Sequence, residues 1–168
     1  MPRYYVTLIS ALRSAERNIT LEAAYFVPTH DETQALTEAA ARGVDVVLIV
    51  PAKSDSGLSL AVGKSHYGEL LKAGVKIYER EGVILHSKTV TVDGVWSVIG
   101  SSNFDHRSVV FNDEVDAIVV GSDTAEGLDA MAATDVARAK PASLQAWRHR
   151  SFKERVRETF GKLVQNLL

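Results

Sequence analysis

An almost continuous apolar segment constrains the fold of this chain more than any other feature of its sequence. Residues 44–50 read V-D-V-V-L-I-V and have the length of a strand. Strands of this composition are covered by other layers on both faces, as in parallel sheets with helical crossovers. Helical patterns flank the segment at residues 31–42 and 60–73, so the sequence predicts an α/β fold.

Other segments extend this pattern along the chain. Acidic residues open the first of these helices and Gly43 follows it, which are helix start and stop signals. Further helices are predicted at residues 5–17 and 122–138, and strands at 18–26, 75–78, 84–92, 95–99 and 114–120. Asp93 and Gly94 form a strong hairpin signal between two of these strands. The order of elements predicts a mixed sheet flanked by helices on both faces.

The composition fits one globular domain. The 168 residues are 46% apolar, which is enough for a full core. The net charge of -2 argues against a strongly basic nucleic-acid-binding protein. Without cysteine, neither a disulfide framework nor a cysteine-based metal site can form. No apolar run reaches the length of a membrane span, about 18 residues, and no signal peptide is visible. The first residue is either a true start or a cut inside a longer protein.

Residues 86–103 carry the pattern that indicates chemistry. They read H-S-K-T-V-T-V-D-G-V-W-S-V-I-G-S-S-N, or H-x-K-x4-D-x6-G-S-x-N, and the pattern occurs once. On a strand, His86 and Lys88 point to the same side, so their polar ends would converge on one bound anion. Histidine can act as nucleophile or proton donor near neutral pH, and lysine supplies positive charge for phosphate oxygens. The pattern therefore suits phosphoryl transfer without a metal or another cofactor.

Four other residues complete the predicted site. A glycine allows a sharp turn, after which Ser101, Asn103 and backbone amides can donate hydrogen bonds to phosphate oxygens. Each such donor stabilises a transition state by about 3 kcal/mol. Asp93, at the hairpin turn, can accept backbone hydrogen bonds or neutralise a cation. Glu114 is the candidate for orienting His86, because a neighbouring carboxylate holds one tautomer of an imidazole.

Each residue type also has an ordinary structural explanation. A single histidine or lysine on a strand is most often structural or merely exposed, and residues 86–103 can also form an ordinary hairpin. Six typed positions at fixed spacing rarely coincide by chance in a chain of 168 residues. The joint pattern therefore favours a functional site.

The pattern resembles the signature motif of the phospholipase D superfamily. All six typed positions are filled, by His86, Lys88, Asp93, Gly100, Ser101 and Asn103. Other segments resemble the C-terminal half of bacterial cardiolipin synthases, among them A-Y-F-V-P at 24–28, P-A-K-S-D-S at 51–56 and N-F-D-H-R-S at 103–108. The resemblance implies a phospholipase D-like αβα sandwich that forms one half of a two-lobed enzyme.

The resemblance also implies a two-step reaction. One histidine attacks the phosphorus of a phosphodiester and forms a phosphohistidine, and a histidine from a second copy of the motif protonates the leaving alcohol. In the synthases, two phosphatidylglycerols give cardiolipin and glycerol. The catalytic residues carried over by position are His86, Lys88, Asp93, Ser101, Asn103 and Glu114, with His86, Lys88, Ser101 and Asn103 binding phosphate. The histidine of a C-terminal copy commonly acts as general acid and base.

The second motif that this reaction needs is missing from the sequence. None of the other histidines, His30, His66, His106 and His149, is followed by lysine two residues later. Two partners can supply the other half, namely an absent N-terminal half or a second copy of the chain related by a two-fold axis. Because the outer segments resemble the C-terminal half, we favour a separated half, which could itself form homodimers.

The end of the chain is predicted to differ from the rest. Residues 1–140 are assigned to the phospholipase D-like domain, and residues 141–168 to a basic amphipathic helical region. The apolar stripe of this region comprises Phe152, Val156, Phe160, Leu163, Val164 and Leu167. Such a helix can lie in an anionic membrane interface, or it can pack on the domain or on a missing half.

Weaker signals flank the motif. Residues 53–55, Lys-Ser-Asp, follow an apolar strand, where α/β proteins present ligand loops, so they form either the rim of a site or a solvated loop. His66 and Tyr67 lie in the predicted helix at 60–73 and either pack that helix, which we favour, or contact substrate. Asp105 and Arg107 are expected to form an ion pair or to hold the loop after the motif.

Together these observations favour a phosphatidyltransferase that makes cardiolipin from phosphatidylglycerol at the bacterial cytoplasmic membrane. The chain is expected to bind the membrane surface peripherally, since its sequence contains no membrane-spanning segment. One alternative is a homodimeric single-motif phosphodiesterase, either a phospholipase or a nuclease, and another is an inactive isolated half. A nuclease is expected to have a basic groove with stacking aromatics. The aromatic content of 7% and the slight negative charge argue against it.

Overall fold

The computed structural model describes residues 3–150 as one mixed sheet with helices on both faces. The strands are β1 Asn18–Ala23, β2 Asp45–Pro51, β3 Lys76–Arg80, β4 Lys88–Val92, β5 Trp96–Gly100, β6 Asp116–Val120 and β7 Ala139–Pro141. The helices are α1 Arg3–Ser14, α2 His30–Ala41, α3 Gly57–Ser65, α4 Tyr67–Ala73, α5 His106–Val110, α6 Ser122–Val136 and α7 Leu144–Arg148. The strand order is β6-β5-β4-β1-β2-β3-β7.

The sheet has a parallel centre and antiparallel flanks. β2 pairs in parallel with β1 and β3, so that Leu48 lies opposite Leu21 and Ile77. β4, β5 and β6 follow on one side and β7 on the other, each antiparallel to its neighbour. The carboxyl ends of β1, β2, β3 and β5 therefore meet the amino ends of β4 and β6 at one edge. We call this edge, marked by Ala23, Pro51 and Gly100, the carboxyl edge.

One face of the sheet carries the main apolar core. Helices α1, α2 and α4 cover this face, and their buried side chains include Leu8, Leu12, Leu36 and Leu70. From β2, Leu48 enters this core, whereas Ile49 enters a smaller cluster on the opposite face. β2 is thus buried on both sides, as its apolar composition predicts.

Helix α6 covers the opposite face with few apolar side chains. Its buried residues are Ala125 and Ala132. Polar contacts supplement them: the Thr91 hydroxyl donates to Asp129, and the Arg80 guanidinium bonds Asp135 at 2.7 Å. The prediction of a mixed α/β sheet with helices on both faces is confirmed.

Two predicted helix boundaries were wrong. The predicted helix at 60–73 consists of α3 and α4, which are separated at His66. The predicted helix at 5–17 ends at Ser14, because the Asp93 carboxylate accepts hydrogen bonds from the three backbone N–H groups of residues 16–18. The chain turns there from α1 into β1.

The predicted strand at 84–92 was also too long. β4 begins at Lys88, because its neighbour β1 ends at Ala23 and the chain bends at the next two residues. One further hydrogen bond, from Ala24 N–H to the Ser87 carbonyl at 3.0 Å, extends the pairing. The short β7 was not predicted, and of the predicted helical region at 141–168 the part from 151 to 168 lies outside the described residues.

Candidate active site

The motif residues approach one another through the strand order. β4 runs antiparallel to β1, so its start lies at the carboxyl edge, and β5 returns to the same edge at Gly100. His86 and Lys88 therefore lie beside the turn that contains Ser101 and Asn103. Asp116, at the start of β6, pairs with Gly100 and completes this end of the sheet.

His86 presents an exposed imidazole at the carboxyl edge. Its ring packs against Tyr25, with ring centroids 6.3 Å apart and planes perpendicular. Within residues 3–150, no hydrogen bond is made to the nitrogens of this imidazole. Both nitrogens are therefore accessible to a substrate, as nucleophilic or acid–base chemistry requires.

Lys88 is half-buried beside His86. Its Nζ donates a hydrogen bond to the His86 carbonyl oxygen at 3.1 Å. Burial lowers the pKa of Lys88, and the negative charges of Glu114 and Asp105 oppose this effect only in part. The lysine side chain thus lies within electrostatic reach of both carboxylates and beside the histidine, where it can meet a phosphate oxygen.

Asp116 fixes the turn after β5 through hydrogen bonds from Ser102. The Asp116 carboxylate accepts hydrogen bonds from the Ser102 hydroxyl and, at 3.2 Å, from the Ser102 N–H. Asn103 follows, and its N–H donates to the Ser108 hydroxyl at 3.2 Å. The buried carboxamide oxygen of Asn103 has no donor among the described residues. This oxygen can only accept hydrogen bonds, so a contact with a phosphate oxygen would come from the amide nitrogen of the same side chain.

Glu114 contacts the turn and does not contact His86. Its carboxylate accepts hydrogen bonds from the hydroxyls of Ser101 and Ser108 and from the Asn112 amide, and none from His86. Burial raises the pKa of Glu114, but these bonds and the charge on Lys88 outweigh it and lower the pKa overall. Glu114 thus bonds the turn beside β5. Its predicted role in orienting His86 stays a prediction.

The Ser101 hydroxyl both donates and accepts a hydrogen bond. Its hydroxyl donates to Glu114, and the Val115 N–H donates to the same oxygen at 3.0 Å. The predicted hydrogen bond from Ser101 to phosphate therefore competes with Glu114. The arrangement fixes the position of the turn.

Asp93 lies at the opposite edge of the sheet. It follows the last residue of β4, so it is about 16 Å from Lys88 at the usual rise per strand residue. Burial raises its pKa, but hydrogen bonds from the backbone N–H groups of Glu16, Asn18 and Arg17 lower it overall. Of the six motif positions, Asp93 is the one that the structure does not bring to the site, and its role is to join the hairpin to β1.

Other expectations concern residues around the site. Asp105 does not pair with Arg107 within the described residues; it begins α5 and accepts a hydrogen bond from the Ser108 N–H at 2.7 Å. It therefore holds the loop after the motif.

The sequence analysis missed Tyr25 and Asp116, although the strand register contains the signal for both. Ala23 pairs with Lys88, which brings Tyr25 next to His86, and Gly100 pairs with Asp116.

Solved structures share this fold. One is a phospholipase D family member, Nuc from Salmonella typhimurium, with a TM-score of 0.74 and 23% identity over 83% of this chain and 90% of that chain. Another is the phosphatidylserine synthase of Haemophilus influenzae Rd KW20, with a TM-score of 0.76 and 12% identity over 98% of this chain and 44% of that chain. The fold is thus that of the phospholipase D superfamily.

Sequence comparison defines the family more closely. Residues 8–135 match the family described as cardiolipin synthase, phospholipase D-like domain. The chain belongs to this family. It is 38% identical over 162 residues to cardiolipin synthase A of Proteus mirabilis, a match that covers 96% of this chain and 33% of that protein. The chain spans about a third of the length of the curated relatives it matches. Within residues 3–150, no helix combines the length and hydropathy needed to cross a membrane.

Proposed function

We propose that this chain supplies one histidine-containing half of a phosphatidyltransferase site that makes cardiolipin from phosphatidylglycerol. The observation that supports this most is the convergence of His86, Lys88 and the 100–103 turn at the carboxyl edge. The similarity to cardiolipin synthases suggests the lipid substrate. With a lipid substrate, the site would work at the surface of the bacterial membrane, to which the chain would bind peripherally.

Two histidines share the proposed reaction. An imidazole nitrogen of one attacks phosphorus, so that a P–N bond forms while the bond to the leaving glycerol breaks, and the other histidine gives that oxygen its proton. The hydroxyl of a second phosphatidylglycerol then attacks, its proton passes to the second histidine, and the P–N bond breaks. His86 supplies one of these two imidazoles. Lys88, Asn103 and the backbone of the turn offset the charge on the phosphate oxygens.

The other imidazole comes from outside this motif. We infer that it belongs either to another part of a longer synthase or to a second copy of this chain. The relatives are about three times as long as the matched region, which supports the first source. The single occurrence of the motif supports the second, because a two-fold axis would bring two copies of His86 together. In both cases the exposed side of His86 would face the partner.

The solution mass and the activity of one sample test this proposal. Analytical ultracentrifugation gives the mass, and assays with phosphatidylglycerol and with bis(4-nitrophenyl) phosphate give the activity. We expect His86→Ala to lower turnover at least about 1,000-fold, because the nucleophile or the acid is lost. The control His149→Ala removes another exposed histidine, which lies beyond α7 and outside the motif, and should leave turnover unchanged.

The possible results separate the alternatives. Turnover by a dimer, with loss on His86→Ala, would support a site shared by two copies. Turnover by a strict monomer would contradict the requirement for two histidines. Cleavage of the generic diester without transfer from phosphatidylglycerol would favour the phosphodiesterase. Recovery of a phosphohistidine at His86 would identify it as the nucleophile and not the acid.

A further inference from the structure

We propose that Tyr25 and Asp55 form a binding site for the hydroxyl groups of a glycerol headgroup beside His86. The inference rests on the proposed function, because it places the headgroup next to a phosphate bound at His86. It adds a headgroup site that lies outside the motif and defines the class of alcohol that the site would take.

The strand register brings Tyr25 to the histidine. β1 and β4 pair with Ala23 opposite Lys88, and the hydrogen bond between Ala24 and Ser87 continues this register by one residue. Tyr25 is therefore the cross-strand neighbour of His86, and their rings are in contact at a centroid distance of 6.3 Å. Any group that occupies the space beside Tyr25 also lies beside the imidazole.

Asp55 is fixed in place by hydrogen bonds to one of its two oxygens. The Tyr25 hydroxyl donates to Oδ1 at 2.6 Å, the Ser56 N–H at 2.9 Å and the Ser54 hydroxyl at 3.2 Å. No side chain or backbone group of another residue in the range 3–150 donates to Oδ2, and the side chain is exposed. The loop therefore presents a positioned acceptor oxygen at the hydroxyl end of Tyr25, whose ring contacts His86.

The charge of Asp55 limits what it can bind. The hydrogen bond from Tyr25 lowers its pKa, so the group is a carboxylate at neutral pH and accepts hydrogen bonds only. It would repel a phosphate and attract donors. The neighbouring hydroxyls of a glycerol headgroup are such donors, and hydrogen bonds to a charged acceptor are stronger than neutral ones.

An ammonium headgroup is the other donor to consider. Recognition of such a cation commonly uses several aromatic faces that surround it. Within the described residues, the aromatic neighbour of Tyr25 is the imidazole of His86, which leaves a single phenol ring beside the carboxylate. The arrangement therefore lacks the cage that binds a quaternary ammonium. A primary ammonium would compete with hydroxyl groups for Asp55, and phosphoethanolamine separates these two donors in the test below.

Binding of small phosphate monoesters tests the inference without requiring turnover. The imidazole signals of His86, assigned with His86→Ala, are followed by NMR during titration with glycerol 3-phosphate, ethyl phosphate, phosphoethanolamine and inorganic phosphate. We expect the chain to bind glycerol 3-phosphate roughly tenfold more tightly than ethyl phosphate, which has the same charge but no free hydroxyl. Asp55→Asn and Tyr25→Phe should abolish this preference without weakening the binding of inorganic phosphate, since neither variant removes a group that attracts phosphate.

A matched variant and the alternative results make the test decisive. Asp123→Asn changes an exposed carboxylate at the start of α6, at the opposite edge of the sheet, and should retain the preference. Equal affinity for glycerol 3-phosphate and ethyl phosphate would overturn the inference, as would a preference that persists in Asp55→Asn. Tighter binding of phosphoethanolamine would replace the hydroxyl site with a cation site. If inorganic phosphate itself does not shift His86, the proposed phosphate site fails, and the headgroup site fails with it.

Discussion

Position 100 must be glycine because Asp116, which is distant in sequence, packs against it. In the pairing of β5 with β6, the Asp116 side chain lies directly over the Gly100 Cα. A Cβ at position 100 would be 2.8 Å from the Asp116 Cα and closer still to its carboxylate. The glycine of the motif thus lets Asp116 reach Ser102, and the pair keeps the turn in place.

We expect Gly100→Ala to lower the free energy of unfolding by about 2–3 kcal/mol, because backbone and side chain must both shift. Adding Asp116→Ala removes the carboxylate but not the backbone contact, so the double variant should regain only part of the loss. Urea denaturation measures the free energy of unfolding of the single and the double variant. Gly127→Ala is the control: it lies in α6 with no atom near the added Cβ and should gain about 0.5–1 kcal/mol. A neutral Gly100→Ala would contradict the packing described.

At the scale of the element, α2 begins with a buried acid. Thr29 and Glu32 form a capping box: the Glu32 carboxylate accepts from the Thr29 N–H at 2.7 Å, and the Thr29 hydroxyl accepts from the Glu32 N–H at 3.2 Å. Burial raises the pKa of Glu32 from 4.5 to about 7, the hydrogen bonds oppose it, and the charges of Asp105 and Asp31 add to it. The capping box is therefore most stable when the side chain at position 32 carries no charge.

This cap predicts a pH dependence of stability. Because the folded state holds the proton more tightly than the unfolded state, the contribution of Glu32 is present below pH 4.5 and is lost as pH rises toward about 7. Glu32→Gln keeps the acceptor without the charge and should be more stable than the wild type above pH 7, by about 3 kcal/mol at most. Urea denaturation at pH 5 and pH 8 measures the difference. The exposed Glu38→Gln, on the same helix, should show none, and equal slopes for Glu32→Gln and the wild type would contradict the assignment.

At the scale of the whole molecule, the two faces of the sheet are held differently. Leucines of α1, α2 and α4 fill one face, whereas α6 buries two alanines and relies on contacts such as Arg80 with Asp135. Burial of apolar surface is the larger source of stability. The layer formed by α6 is therefore expected to be the less stable one.

Native-state hydrogen exchange tests this difference between layers. We expect the amides of α6 to exchange through an opening of lower free energy than those of β1 and β2. Asp135→Asn, which weakens the partly buried contact with Arg80, should speed exchange in α6 before it affects the central strands. Uniform protection of α6 and the strands would show that the molecule opens as one unit.

Local signals predicted most of the elements, because helix caps, glycine stops and apolar runs act over a few residues. The acids in the first turn of α2 and Gly43 after its end placed that helix within a residue at each end. Errors arose where distant groups intervene, as when Asp93 ends α1 or the bend after β1 shortens β4. Pairing with β3 produces the three-residue β7, which has too little pattern of its own.

The sequence by itself determined the fold class, the family resemblance and the residues of the motif, since these depend on residue type and spacing. Only the tertiary structure decided which groups meet. It joins Glu114 to Ser101, places Asp93 at the far edge, and brings Tyr25, whose hydroxyl bonds Asp55, against the histidine. The physical reason is that strand order and register, which arise from long-range pairing and burial, set these distances, and no local pattern encodes them.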